Sequence, residues 1–246
     1  MHHPVVLVTG AAGGIGAACV TAFAAAGWDI VGVDRAFTHT APQKNSSSML
    51  FCAGDVTQPS DWQRWLDETY SHYGRLDAVI NNAGISGPIC DFLDYPDDAF
   101  DAVMAVNARG VFLGTKYGAA RMIAAGTTGA IVNISSNAGL TGSPRIVGYS
   151  ASKHAVIGIT KSAAKAFATR NVRVNVICPA PTDTAMVRSL EQYSSPAQVH
   201  SALTAGTPMA RYGDPAEIAA AALFLSSAAA SFITGAVLPV DGGSVA

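Results

Sequence analysis

Tyr149 and Lys153 stand four residues apart in "YSASKH", in a stretch that reads as the start of a helix. Positions i and i+4 share one helical face, so a phenol and an ammonium there can reach one site. A free phenol titrates near about 10, too high for a base at neutral pH. An adjacent ammonium favours the phenolate and lowers that value. Such a tyrosine can take a proton from an alcohol or give one back, which is general acid–base chemistry. Alone, the pair carries little weight. The chain has seven tyrosines, and a surface tyrosine packed along a lysine stem gives the same spacing.

A second chemistry is written near the N-terminus. "TGAAGGIG" (9–16) follows an apolar run and opens a helical pattern, with Gly10, Gly14 and Gly16 spaced Gly-x-x-x-Gly-x-Gly. Glycines are needed where the chain turns sharply and where a pyrophosphate approaches the N–H groups of a helix N-terminus. An ordinary tight turn also uses glycine, so the position between strand and helix carries the argument. No Gly-Lys-Ser/Thr follows, which excludes a Walker phosphate loop. Asp34 lies eighteen residues beyond Gly16, where a dinucleotide fingerprint places the carboxylate that binds the adenosine ribose. That carboxylate repels a 2′-phosphate, and Gly13 offers no basic side chain, so NAD is expected over NADP. Arg35 points the other way, since it could reach a 2′-phosphate. The bland alternative for Asp34 is a cap in the following turn.

These groups need a scaffold. Apolar runs at 5–9, 29–34, 49–53, 76–81, 129–135, 172–178 and 235–240 alternate with longer helical stretches, the first from about Gly14 to Ala26. Alternation of this kind predicts an α/β fold: a parallel sheet of about seven strands with helices on both faces. The polar stretch "PQKNSSS" reads as a loop. No repeat or linker interrupts residues 1–246, so one catalytic domain is expected, with a substrate lid at 180–214, the least regular segment.

Composition narrows the class. Half of the 246 residues are hydrophobic and 13% charged, which leaves little polar surface and points to subunit contacts. A net charge of -2 argues against nucleic acid. The longest apolar run, "IAAAALFL" (218–225), is too short to span a bilayer. Cys19, Cys52, Cys90 and Cys178 show no metal spacing and read as reduced thiols of a cytoplasmic protein without a secretory signal.

The ordered motifs resemble the short-chain dehydrogenase/reductase family, over essentially the whole chain. "TGAAGGIG", "DV" (55–56), "NNAG" (81–84), "VNARG", "IVNISS", "YSASK" and "TGAVLPVDGG" occur in the family's order, and Tyr149 lies thirteen residues beyond Ser136 as its pattern requires. The resemblance implies a Rossmann-type doubly wound sheet. It implies hydride transfer between NAD and a secondary alcohol or ketone, with Tyr149 as acid/base and Ser136 holding the substrate oxygen. Lys153 would also bind the nicotinamide ribose, and Asn107 would hold a water that relays protons through Lys153. Asn81 would support the cofactor site. Cofactor contacts are implied at Gly10, Gly14, Ile15, Gly16, Asp34, Arg35, Asp55, Val56, Asn82, Ala83, Gly84, Tyr149, Lys153, Pro179, Thr182 and Thr184, with no metal. Ala180 departs from the family's Pro-Gly and puts the shape of the nicotinamide pocket in question. Ser136 could instead be a turn serine, and Asn107 a structural amide; His154 reads as a structural or surface histidine, off the Tyr149–Lys153 face.

Rival readings are an NADP-linked 3-oxoacyl reductase of fatty-acid synthesis and a non-catalytic NAD-binding sensor. A sugar-nucleotide epimerase is disfavoured by the glycine spacing and by the short C-terminal remainder. The segments 86–95, 137–148 and 185–212 are expected to form the substrate pocket; they offer Ile89, Phe92, Leu140, Ile146, Val147, Met186, Leu190 and Met209, mostly apolar, and Arg145 and Arg188 are candidate partners of a substrate carboxylate. The alanine-rich stretch 215–235 and the helix from Tyr149 are apolar on more than one face, and the resemblance implies a homotetramer.

Overall fold

Alternate residues of a strand point to opposite faces, and in the central strands here both faces are covered. All five residues of β1 (Val5–Thr9) are buried. Val5 and Leu7 join one apolar cluster with Trp62, Trp65 and Met122; Val6 and Val8 join another with Phe23 and Ile218. This is why the strands read as unbroken apolar runs. The structure, a computed structural model, describes residues 3–38, 43–46, 48–189 and 195–246.

After β1 come α1 (Gly14–Ala25), β2 (Asp29–Asp34), β3 (Gln43–Ser46), β4 (Met49–Ala53), α2 (Pro59–Tyr73) and β5 (Ala78–Asn81). Then follow α3 (Asp97–Met104), α4 (Gly110–Ala124), β6 (Gly129–Ile134), α5 (Val147–Phe167) and β7 (Val172–Pro179). The chain ends with α6 (Ala185–Arg188), α7 (Pro196–Thr204), α8 (Pro215–Ser226) and β8 (Val237–Val240). The sheet order is β3-β4-β2-β1-β5-β6-β7-β8. Seven strands are parallel, as expected, and β3 pairs antiparallel to β4 at the edge. That eighth strand lies in the polar stretch read as a loop. An edge pairing needs only backbone groups, so its sequence shows no apolar pattern.

α1 and α8 cover one face through Cys19, Phe23, Ile218, Ala222 and Leu225. α2 and α4 cover the other through Trp62, Trp65, Leu66, Leu113 and Met122, with Ala164 of α5. Helix boundaries follow local chemistry. Pro59 opens α2 and Gly74, at φ 71°, ends it in the left-handed conformation. Asp214 and Glu217 form a capping box at the start of α8. The strand order reverses on either side of β1, whose neighbours are β2 and β5. Ligands of such sheets bind at that switch point, beyond the C-terminal strand ends.

Cys19, Cys52 and Cys178 are buried and Cys90 is half-buried, all as free thiols. Among the described residues no helix is long and apolar enough to cross a membrane.

Candidate active site

β1 hands directly into the glycine turn. Gly10 and Gly14 both take positive φ, 68° and 53°. A side chain on Gly10 would also meet Asn82 Nδ2, and one on Gly16 would strike the carbonyl oxygen of Gly10. Gly16 therefore serves packing of α1 on the turn. Gly13 precedes α1 without a side-chain cap and faces open space. The turn is held from β5: Thr9 Oγ1 accepts from the backbone N–H groups of Asn82 and Ala83 at 3.0 Å, and Asn82 Nδ2 donates to the Thr9 carbonyl at 2.9 Å. Asp34, at the end of β2, accepts from Ala12 N at 3.0 Å and from Ala36 N at 2.9 Å. It acts as a turn anchor and also lines the cavity below.

Ser136 closes β6 and caps the short 3-10 turn Asn137–Gly139, accepting from Ala138 N at 3.1 Å. Glycine at 139 is required, because a Cβ there would lie 2.8 Å from the Lys153 carbonyl oxygen. That close approach sets Ser136 beside α5. Lys153 is buried, donates to the Ile134 carbonyl at 2.9 Å, and holds Nζ 5.5 Å from the centre of the Tyr149 ring. Burial lowers the Lys153 ammonium to about 8. Burial raises the Tyr149 phenol, and the Ser136 hydroxyl pulls it down in part. The phenol expected to be lowered by its lysine is instead raised in the free protein, with burial as the leading cause.

Asn107 sits in a π-helical turn, Ala105–Arg109, between α3 and α4. It is fully buried. Its Oδ1 accepts from Ile85 N at 2.8 Å, and its Nδ2 donates to the Ile85 carbonyl at 2.9 Å and to Ser152 Oγ at 3.0 Å. Both N–H groups are spent on the protein, as a structural amide's would be. One Oδ1 lone pair remains on the side of Gly84, whose missing Cβ would lie 3.1 Å from Oδ1 and 3.6 Å from Lys153 Nζ. Asn81 has a different part. Its Nδ2 donates to Asn133 Oδ1 at 2.8 Å, and Asn133 Nδ2 donates to Thr160 Oγ1 at 2.9 Å, tying β5, β6 and α5 together beneath the site.

One cavity of about 690 Å³ joins these parts. Of the expected residues it takes in Gly10, Gly14, Ile15, Asp34, Asn82, Ala83, Gly84, Ser136, Tyr149, Lys153, Pro179, Thr182 and Thr184. Gly16, Arg35, Asp55, Val56 and Asn107 are outside its lining. Arg35 is exposed, 3.9 Å from Asp55, whose Oδ1 caps Thr57 N at 2.8 Å. The Val56 carbonyl accepts from the Trp62 indole at 2.9 Å. Ala180 keeps an ordinary φ, since the non-glycine residues with positive φ are Asn171 and Ala210. The departure from Pro-Gly therefore introduces no backbone strain.

Of the substrate candidates, Ile89, Ile146 and Met186 line the cavity; Phe92, Leu140, Val147 and Met209 do not, and Leu190 falls outside the described residues. Arg145 lies 3.8 Å from Asp91, and Arg188 binds Asp183 through two contacts of 2.9 Å; neither lines the cavity. His154 is exposed and bonds the Ser150 carbonyl. Ser86, Asn137, Thr141 and Ser143, inside the expected pocket segments 86–95 and 137–148, also line the cavity; Ser244 and Val245, from the C-terminal tail, are lining residues that the sequence reading missed. Asn137 had a signal, its place beside Ser136. The tail had none, because Gly242 and Gly243 turn it back through positive φ of 60° and 89°.

The glycine turn, the acidic end of β2 and the Ser–Tyr–Lys set thus open on one cavity at the switch point. The family model described as enoyl-(acyl carrier protein) reductase matches residues 10–244. The chain belongs to the short-chain dehydrogenase/reductase family. It is 37% identical over 246 residues to an A-factor type gamma-butyrolactone 1'-reductase (1S-forming) of Streptomyces virginiae, covering 97% of this chain and 94% of the relative. It is 35% identical over 250 residues to a 3-oxoacyl-[acyl-carrier-protein] reductase of Thermotoga maritima, covering 100% and 99%. The crystal structure of levodione reductase superposes with a TM-score of 0.90 at 32% identity, over 99% of this chain and 98% of that one. The short-chain dehydrogenase described here is an oxidoreductase of an NAD(P)-using family that acts on small alcohols and ketones.

Proposed function

We propose that the enzyme transfers hydride between NAD and a secondary alcohol or ketone, with Tyr149 as the proton-transfer group. The observation that carries this is the meeting of Ser136, Tyr149 and Lys153 with the glycine turn in one cavity. The residues fit a dinucleotide. α1 presents an uncapped N-terminus to the turn, Gly13 leaves room beside it, and Asp34 supplies a carboxylate for ribose hydroxyls. Pro179, Thr182 and Thr184 would flank the nicotinamide, which when bound supplies the hydride acceptor or donor.

The chain's own groups do the rest. Ser136 Oγ donates to the substrate oxygen and keeps it beside Tyr149. The phenolate takes the alcohol's proton, and in reduction the phenol returns it. Lys153 and the positive charge of an oxidised nicotinamide offset the burial that raises the phenol in the free protein. A water on the open lone pair of Asn107 Oδ1, beside Lys153, would link the lysine to solvent. Residues 180–214 act as the substrate lid of a single catalytic domain. The buried reduced thiols support a cytoplasmic location, and we place the enzyme in a homotetramer.

Asp34 and the open face at Gly13 favour NAD. The second reading, an NADP-linked 3-oxoacyl reductase, is favoured by Arg35 and by the similarity to the Thermotoga enzyme. Steady-state rates with each cofactor separate the two. Tyr149→Phe tests the mechanism: turnover should fall about 10²–10⁴-fold with NAD affinity kept, because only the phenolic oxygen carries the proton. Near wild-type turnover in that variant would exclude Tyr149 as the acid/base.

A further inference from the structure

A cavity's charge and unpaired polar groups constrain what it admits. Resting on the reading of Tyr149 and Ser136 as a carbonyl/alcohol centre, we propose that the substrate is uncharged and carries a second oxygen near the reacting carbon, and that Asn137 recognises that oxygen.

The first ground is charge. Lys153 is the one cationic side chain in the cavity lining, and its Nζ is already bonded to the Ile134 carbonyl. Among the described lining residues the acidic side chain is Asp34, at the glycine-turn end. Arg145, in 137–148, and Arg188, in 185–212, are paired outside the cavity, with Asp91 and Asp183. A substrate carboxylate, sulfonate or phosphate at the Ser136–Asn137 end would shed water and find no arginine or second lysine among the described lining residues to pair with, which is unfavourable.

The second ground is Asn137. It follows Ser136 and lines the cavity. Before substrate enters, Ser136 Oγ donates to its Oδ1 at 3.1 Å, which orients the amide with its NH2 turned from the serine; the serine's single proton passes to the substrate oxygen on binding. Among the described residues no protein group accepts from that NH2, and the lining hydroxyls of Ser86 and Ser143 are likewise without a protein partner. A donor held next to the residue that grips the reacting oxygen calls for an acceptor on the same ligand. A site built to bond a given oxygen also discriminates against the analogue that lacks it.

The test uses ketones of one carbon skeleton: a one-oxygen ketone, a neutral hydroxyketone or diketone, and the matching keto-carboxylate. Rates are read from nicotinamide absorbance in wild type, Asn137→Ala and Asn137→Asp. The neutral two-oxygen compound should exceed the keto-carboxylate in kcat/KM by about 100-fold or more. Both variants should cut the two-oxygen over one-oxygen preference about tenfold. Asn137→Asp keeps an acceptor for Ser136 while exchanging the donor for a carboxylate, so a retained preference there would overturn the role of Asn137. A keto-carboxylate used as well as the neutral compound would overturn the substrate class. If no carbonyl compound is turned over with either cofactor, the reading of the site as a carbonyl centre fails. Ligand-induced thermal shifts of the Tyr149→Phe protein with NADH then decide the inference alone: a larger shift from the neutral two-oxygen compound supports it, and equal shifts overturn it.

Discussion

Lys153 carries a pH signature that can be measured without substrate. Its ammonium is lowered from 10.5 to about 8 because burial disfavours the charged form. Between those values the unfolded chain holds more of this proton than the folded one, so stability rises with pH across that window. Below about 8 the full penalty for the buried charge is present, and above 10.5 it is gone. At ~1.4 kcal/mol per pH unit the wild type should gain on the order of 3 kcal/mol over Lys153→Met between the two ends. Denaturant unfolding at several pH values reads this, and a constant difference would mean that Lys153 is not desolvated. Asp34 supports a second prediction. In Asp34→Ala with Gly13→Arg, a carboxylate that repels a 2′-phosphate is removed and a guanidinium enters open space. The NADP over NAD ratio of kcat/KM should rise by at least about tenfold. A wild type that already prefers NADP would show that Asp34 does not select the cofactor.

Elements are held to one another here by close backbone approaches and by buried amides. In Gly16→Ala the methyl would meet the Gly10 carbonyl and lie 2.7 Å from Asn82 Nδ2. Pushing α1 off the turn should cost about 1–3 kcal/mol and weaken cofactor binding with it. Gly13→Ala, three residues earlier and facing open space, should change stability by less than about 0.5 kcal/mol. Thermal unfolding and a cofactor titration on both variants check the contrast; equal losses would mean that glycine composition matters and the approach does not. The ladder Asn81–Asn133–Thr160 makes a similar case. Asn133→Ala removes the bonds that join Asn81 on β5 and Thr160 on α5 through β6, leaving Asn81 only its longer contact to Thr115 and Thr160 only its bond to the Val156 carbonyl; this costs about 1–3 kcal/mol and loosens the strand and helix that present Ser136 and Tyr149. Stability and kcat should therefore fall together.

For the molecule as a whole, the apolar surface left over is the informative feature. Phe232 is fully exposed, and Phe224 on α8 and Phe112 on α4 are 44% and 47% exposed. Ile157, Ile159 and Ala163 of α5 are half-buried, while Val156 and Ala164 point into the core. A chain this poor in charge has little else with which to cover such faces. We expect sedimentation at micromolar concentration to give a tetramer, and Phe232→Glu to shift it towards smaller species. A monomeric wild type would defeat the proposed assembly.

What was legible in the linear chain was whatever repeats locally. The seven parallel strands stand in the sequence because burial on both faces demands unbroken apolar runs. The start of α1 shows because glycine, not another residue, can make the turn before it. Tyr149 and Lys153 show because a helix brings i and i+4 together. Tertiary structure alone decided the rest, since it depends on which distant segments meet. β3 pairs through its backbone and leaves no side-chain pattern. Asn107 is joined to Ile85, 22 residues away, and to Ser152, 45 residues away, and no spacing rule relates them. The tail reaches the cavity only because Gly242 and Gly243 reverse the chain. The Tyr149 phenol belongs here too: a lysine four residues on is written in the sequence, whereas the burial that raises the phenol in the free protein comes only with the fold.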